Sequence, residues 1–168
     1  GDPRVVEALC ALLSDPSEDV RMQALELLGQ MGSEASEAAP EVQSLVGGHG
    51  RMAVAAAATL RRMGSMDDAA FLQVVRETLE EGNCEQRREA TRALHESKID
   101  AVDLLDGLVL AILDEHCSFD GHLLSLISRP ECATDDTIAR LMDLVLSSTG
   151  EGQVLLYART LAALVLSP

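Results

Sequence analysis

A chain of 168 residues, 47% apolar and only 2% aromatic, makes one ordinary domain or a short stack of repeats, its core drawn from Leu, Ala, Val, Met and Ile. The formal charge of 13 − 28 = −15 argues against nucleic acid and an anionic membrane surface as partners, because both need cationic protein surface. A mean hydropathy near zero and no apolar run of about 20 residues exclude a membrane-spanning helix from the reading.

Helical spacing starts at once. Val5, Val6, Leu9, Leu12 and Leu13 predict a helix from Pro3 to Ser14, with Asp2 as its cap and Pro3 in its first position. Asp15-Pro16-Ser17 is a turn, and a second helix runs from Ser17 to Met31, ended by Gly32. Either a serine or an aspartate of this stretch can cap that helix, Asp19 among them. Next come helices over Ser36 to Val46 and Arg51 to Met63, separated by Gly47-Gly48-His49-Gly50. Pro40 either restarts the first of these or kinks it. Asp67 to Glu81 and Cys84 to Glu96 follow, split at Gly82-Asn83. Asp100 to Glu115, about Asp120 to Ser128, Thr134 to Ser148 and Gln153 to Leu166 complete the series. No alternating β-branched run marks a strand.

These helices repeat. Shifting 19–32 by 32 puts Ala24 on Ala56, Leu28 on Leu60, Met31 on Met63 and Gly32 on Gly64. A further shift of 34 reaches Ala90 and Leu94, and sets Arg87 under Arg21. Ala158 keeps the same spacing near the end. A period of 32–34 residues suits a helix pair in a solenoid and is too short for a domain. The small alanines let paired helices approach closely, and the leucines one turn on fill the space between pairs.

The stretch Leu12-Leu13-Ser14-Asp15-Pro16-Ser17-Glu18-Asp19-Val20-Arg21, continuing through Ala24 and Leu28 to Gly32, resembles a HEAT repeat, especially the short bacterial and bilin-lyase-type repeats. The match is strong in the first unit, good in the second and partial in the third. The resemblance implies an all-α fold, a right-handed α-solenoid of about five HEAT-like antiparallel helix pairs. The whole chain is then one repeat domain with units of about 1–32, 33–64, 65–98, 99–130 and 131–168. Since it begins at Gly1 without Met, it is expected to be a piece of a longer protein. In that family, Asp and Arg residues of the second helix form a ladder between repeats. By resemblance Asp19, Arg21 and Arg87 take that structural role, with the ladder broken where Ala53 replaces the Arg.

Function is expected to be non-enzymatic: a scaffold or adaptor that binds a protein or peptide on its concave face. The resemblance places the second helices there, and they carry eight of the 13 basic residues. Arg62, Arg88 and Arg92 are the candidate binding residues, for an acidic segment. The plainer alternative is that they pair with nearby glutamates. A competing reading is a HEAT-like enzyme or accessory subunit, bilin lyase-like or metal-dependent. Against it, Phe71, Phe119 and Tyr157 are scattered, and His116, Cys117, His122 and Cys132 match no compact zinc spacing. No catalytic residue, metal or cofactor is expected. Cys10, Cys84, Cys117 and Cys132, with no CxxC, read as four free thiols in a reducing, cytoplasmic setting. The apolar stretch from Val154 to Leu166 leaves little polar face, so it is expected to be covered by a further repeat or a second copy, the plainer alternative being burial under its own unit-four neighbours.

Overall fold

In the structure, a computed structural model, residues 2–48, 50–99, 104, 107–108, 125–126, 134–147, 158 and 162 are described. Among them the architecture is all-α with no strand. The helices are α1 (Pro3–Leu12), α2 (Glu18–Met31), a 3-10 segment (Gly32–Ala38), α3 (Ala39–Val46), α4 (Arg51–Met63), α5 (Asp68–Glu81), α6 (Cys84–Ser97) and α7 (Asp135–Ser147). The helices expected over 100–128 and 153–166 lie almost wholly outside the described residues. The chain divides into two compact units, 1–78 and 79–168.

In the first unit α1 opens as its sequence demands. Asp2 accepts the Arg4 backbone N–H at 3.0 Å, and Pro3 occupies the first turn, where its missing N–H costs nothing. α1 stops at Leu12, two residues earlier than expected. The cap of α2 is Ser17, not Asp19; Asp19 is the second residue of the helix. Gly32 ends α2 at φ 59°, a backbone conformation that L side chains resist. The chain then tightens into 3-10 geometry before Pro40 enters the first turn of α3. Pro40 therefore restarts a helix and kinks none. α4 closes on Gly64 at φ 77°. The Ser65 N–H donates to Leu60 O at 2.8 Å and the Gly64 N–H to Arg61 O at 3.0 Å, the pair of bonds that satisfies a helix C-terminus.

Packing follows the expected register. α1 lies on α2, α2 and α3 on α4, and the 3-10 segment touches all four. Ala24, Leu28, Ala56 and Leu60 are buried together with Val6, Leu9 and Val42. α4 is enclosed on nearly every side: Ala53 through Ala57, Thr59, Leu60 and Met63 are all buried. The Thr59 hydroxyl donates to Leu25 O at 3.0 Å, so its polar atom enters the α2–α4 contact with a partner. Gly29 lets α4 come close, since a Cβ there would stand 3.3 Å from Arg62 Cδ. Arg61 pairs with Asp68 at 2.6 Å, and its guanidinium lies 5.8 Å from the centroid of the buried Phe71 ring.

In the second unit, Leu79, Ala90, Leu94, Leu104, Leu108 and Leu126 are buried. A Cβ on Gly107 would stand 3.0 Å from Leu79 Cβ, so that approach needs glycine. The repeat register holds at Ala90 and Leu94 but fails at Ala158. That alanine is helical and exposed, as is Ala162 one turn on, so at this point the small residue serves no close packing.

Candidate partner-binding surface

The three residues assigned to a repeat ladder divide between two jobs. Arg21 reaches back over its own turn, where its Nη1 donates to the carbonyls of Asp15 at 2.6 Å and Pro16 at 3.1 Å. Arg87 does the equivalent in the second unit, its Nη2 donating to Glu80 O at 3.2 Å. Both side chains thus satisfy carbonyls that the end of the preceding helix or its turn leaves without a helical donor. They fasten the two helices of one pair.

Asp19 does the bridging between repeats. It receives Arg51 Nη2 at 3.1 Å, while Glu18 receives Arg51 Nε at 2.7 Å. A cation at the start of α4 opposes that helix's dipole, whereas acids in the first turn of α2 suit theirs. The two carboxylates offset the poor placement of Arg51. This arginine was not among the ladder residues expected from the sequence, yet the shift of 32 sets Arg51 directly under Asp19. Opposite charge at equal register was the available signal.

Arg62 and the pair Arg88/Arg92 belong to different units. Arg62 is exposed near the end of α4 and lies across Gly29. On α6, Arg88 and Arg92 are one turn apart, as expected. Arg88 is exposed. Arg92 is half-buried and flanked by two acids of its own helix. Its Nη2 binds Glu89 Oε1, its Nε donates to Glu89 Oε2 at 3.2 Å, and its Nη1 meets Glu96 at 2.7 Å. The Glu89 carboxylate raises the Arg92 pKa above its ordinary value, burial works against this, and the charges of Glu89 and Glu96 add to the rise. Arg92 is therefore permanently cationic but sits in a cluster of net charge −1.

The cysteines depart from expectation. Cys10 is a free, half-buried thiol; burial first, then the charges of Glu41 and Glu37, push its pKa up. Cys84, the first residue of α6, is disulfide-bonded, which corrects the reading of four free thiols. Cys spacing cannot reveal such a bond, because it depends on where the fold brings distant residues. Among the described residues no cluster of three His, Cys, Asp or Glu side chains is arranged to hold a metal. His116, Cys117, His122 and Cys132 lie outside the described residues. No described helix is long and apolar enough to cross a membrane.

Exposed apolar side chains occur on both units. Val5 and Leu12 stand out on α1, Leu27 on α2, and Met142 and Leu146 on α7.

Residues 5–35 match the HEAT repeat family, covering most of α1, all of α2 and the start of the 3-10 segment. No curated protein and no solved structure matches the chain significantly. The chain thus contains a HEAT repeat, a helical unit typical of protein binding.

Proposed function

We propose that this chain is a non-enzymatic scaffold or adaptor built as a right-handed α-solenoid of about five HEAT-like helix pairs. The HEAT repeat at 5–35 carries the reading. It is supported by the same arginine clamp recurring at Arg21 and Arg87, 66 residues apart, which is two periods of the repeat. Stacked helix pairs present a long, open concave surface suited to protein or extended peptide partners. Arg62, Arg88 and Arg92 are the proposed contacts for an acidic segment of the partner. An arginine fork binds a carboxylate at two points, and the acidic remainder of the surface repels the same segment elsewhere. Arg88 and Arg62 make the first contacts in this scheme, since Arg92 must first exchange one of its own glutamates. A cytoplasmic location is part of the proposal, on the condition that the Cys84 bond can be reduced there.

The test is a pulldown with the intact chain and with Arg88→Glu combined with Arg92→Glu. The expected result is a partner retained by the native chain, released as salt rises, and lost by the double variant while helicity is unchanged. Equal retention by both proteins at every salt concentration overturns the arginine site. Retention of a small-molecule chromophore or metal by the purified chain overturns the non-enzymatic reading.

A further inference from the structure

We infer that the outer face of α1 and α2 is a docking site for an amphipathic helix with basic flanks, carried by a protein partner. Its apolar part is made by Val5 and Leu12 of α1 and Leu27 of α2, which are 47%, 41% and 47% exposed. Val5, Ala8 and Leu12 fall at i, i+3 and i+7, one face of a helix, and Ala8 is exposed with them.

The direction of this face follows from what the same helices do elsewhere. On α2, Leu25 and Gly29 lie against α4. The Thr59 hydroxyl donates to Leu25 O at 3.0 Å, and a Cβ on Gly29 would stand 3.3 Å from Arg62 Cδ. Leu27 is two residues from each, about 200° round the helix, so it points away from α4. On α1, burial and then the charges of Glu41 and Glu37 act on the Cys10 thiol. That side of α1 therefore looks toward the 3-10 segment and α3, which carry those acids. Leu12 is two residues beyond Cys10 and Val5 shares its face, so both point away from those elements. α1 and α2 pack on each other, which sets the two apolar sides next to one another. Met31, one turn beyond Leu27, is only partly buried and extends the surface. An amphipathic helix covers such a surface with anchors at i, i+3, i+4 and i+7.

Charge selects the occupant. Residues 1–31 hold six acids and two bases. Asp2 precedes Val5 by three residues, Asp15 follows Leu12 by three, and Glu26 adjoins Leu27. Of the bases, Arg4 pairs with Asp2 at 2.8 Å, and Arg21 is turned to the carbonyls of Asp15 and Pro16. A second copy of this chain would set like acids against one another, and a formal charge of −15 on each chain makes that approach repulsive. An anionic lipid surface meets the same repulsion. A helix with lysines or arginines beside its apolar stripe sets that stripe on Val5, Leu12 and Leu27 and its cations against Asp15 and Glu26. This site is opposite in sign to the arginine site and lies on other helices.

The test uses the whole chain and, as probe, a fluorescent synthetic peptide of leucine and lysine only, its leucines at i, i+3, i+4 and i+7. Binding is read by fluorescence anisotropy. The lysine peptide is expected to bind, and a peptide with the same leucines but glutamate for lysine is expected not to. Leu12→Glu combined with Leu27→Glu, its helicity checked by circular dichroism, is expected to weaken binding at least tenfold. That variant adds two negative charges, so adsorption by charge alone would tighten instead. Leu146→Glu, at an exposed leucine of α7, is expected not to weaken binding. If the double variant loses helicity, Leu12→Gln combined with Leu27→Gln takes its place with a severalfold loss expected. No binding of the lysine peptide, equal binding of the glutamate peptide, or binding by the double variant as tight as by the native chain overturns the inference. So does a concentration-dependent dimer in sedimentation that the double variant abolishes, which assigns the face to a second copy. None of these readouts involves Arg62, Arg88 or Arg92, so this inference and the arginine site fail separately.

Discussion

α4 and α6 are of nearly equal length, 13 and 14 residues, yet they are stabilised in opposite ways. α4 starts at Gly50 with no side-chain cap, and its middle is a run of small residues. Neighbouring elements enclose it, and burial holds it. α6 buries only Ala90, Thr91, Ala93 and Leu94. It has a reciprocal cap at Asn83 and Gln86, a bond from the Thr91 hydroxyl to Arg88 O at 2.9 Å, and ion pairs along its own surface. A helix surrounded by its neighbours forms on tertiary packing with weak local signals, whereas one buried on a single face needs its ends and surface to agree with it.

The comparison can be broken by substitution. The largest effect is expected at Leu60→Ala or Leu28→Ala, both in the packed centre of the first unit. Each should cost about 2–5 kcal/mol in chemical denaturation, the usual range for buried leucine truncation. A loss well below 1 kcal/mol at both sites would mean that burial does not hold α4. Asn83→Ala comes next. Removing a capping side chain costs about 0.5–2 kcal/mol, and Asn83→Ser should recover most of it. If Asn83→Ala leaves the denaturation midpoint unchanged, α6 does not depend on its local signals.

The smallest effect is expected at Glu96→Gln, which removes one of the two partners of Arg92. Exposed helical ion pairs contribute about 0.2–0.5 kcal/mol, so the change should be near the limit of measurement and vanish in high salt. The same substitution sharpens the functional proposal. It takes one competitor away from Arg92, so binding of an acidic partner should tighten. Unchanged binding would show that Arg92 makes no contact with that partner.

Local information in the sequence reached a definite depth. The positions of Ala24, Leu28, Ala56, Leu60, Ala90 and Leu94 were legible because helical periodicity and a fixed repeat act together on them. The start of α1 was legible because Asp2 and Pro3 are local instructions. The 3-10 segment was not, since after the stop at Gly32 the residues Ser33–Ala38 suit an α-helix as well as a 3-10 turn, and the segment touches α1, α2, α3 and α4, which local sequence does not specify. Ser17 and Asp19 are both acceptable caps by composition, and the choice between them depends on where the turn at Pro16 releases the chain. The partners of Arg51 and Arg92 differ in the same way. Arg92 meets acids within one turn of its own helix, which sequence can pair. Arg51 meets acids 32 and 33 residues away, which only the stacking of one repeat on the next brings into reach. Of the candidate site, the helices of Arg62, Arg88 and Arg92 could be read in advance, but the company each keeps could not.

Ala53 to Ala57 fill the middle of α4 with side chains that are almost all as small as an L-amino acid allows, and all five are buried. Only Val54 has any bulk to give up. Enlarging any of the alanines drives atoms into a filled space, and strain of about 1–3 kcal/mol is typical of such overpacking. Shrinking one to glycine loses helix propensity of about 1 kcal/mol. This segment therefore has almost no neutral neighbours in sequence space. Among related chains it should drift least, on packing alone and without any charged side chain of its own.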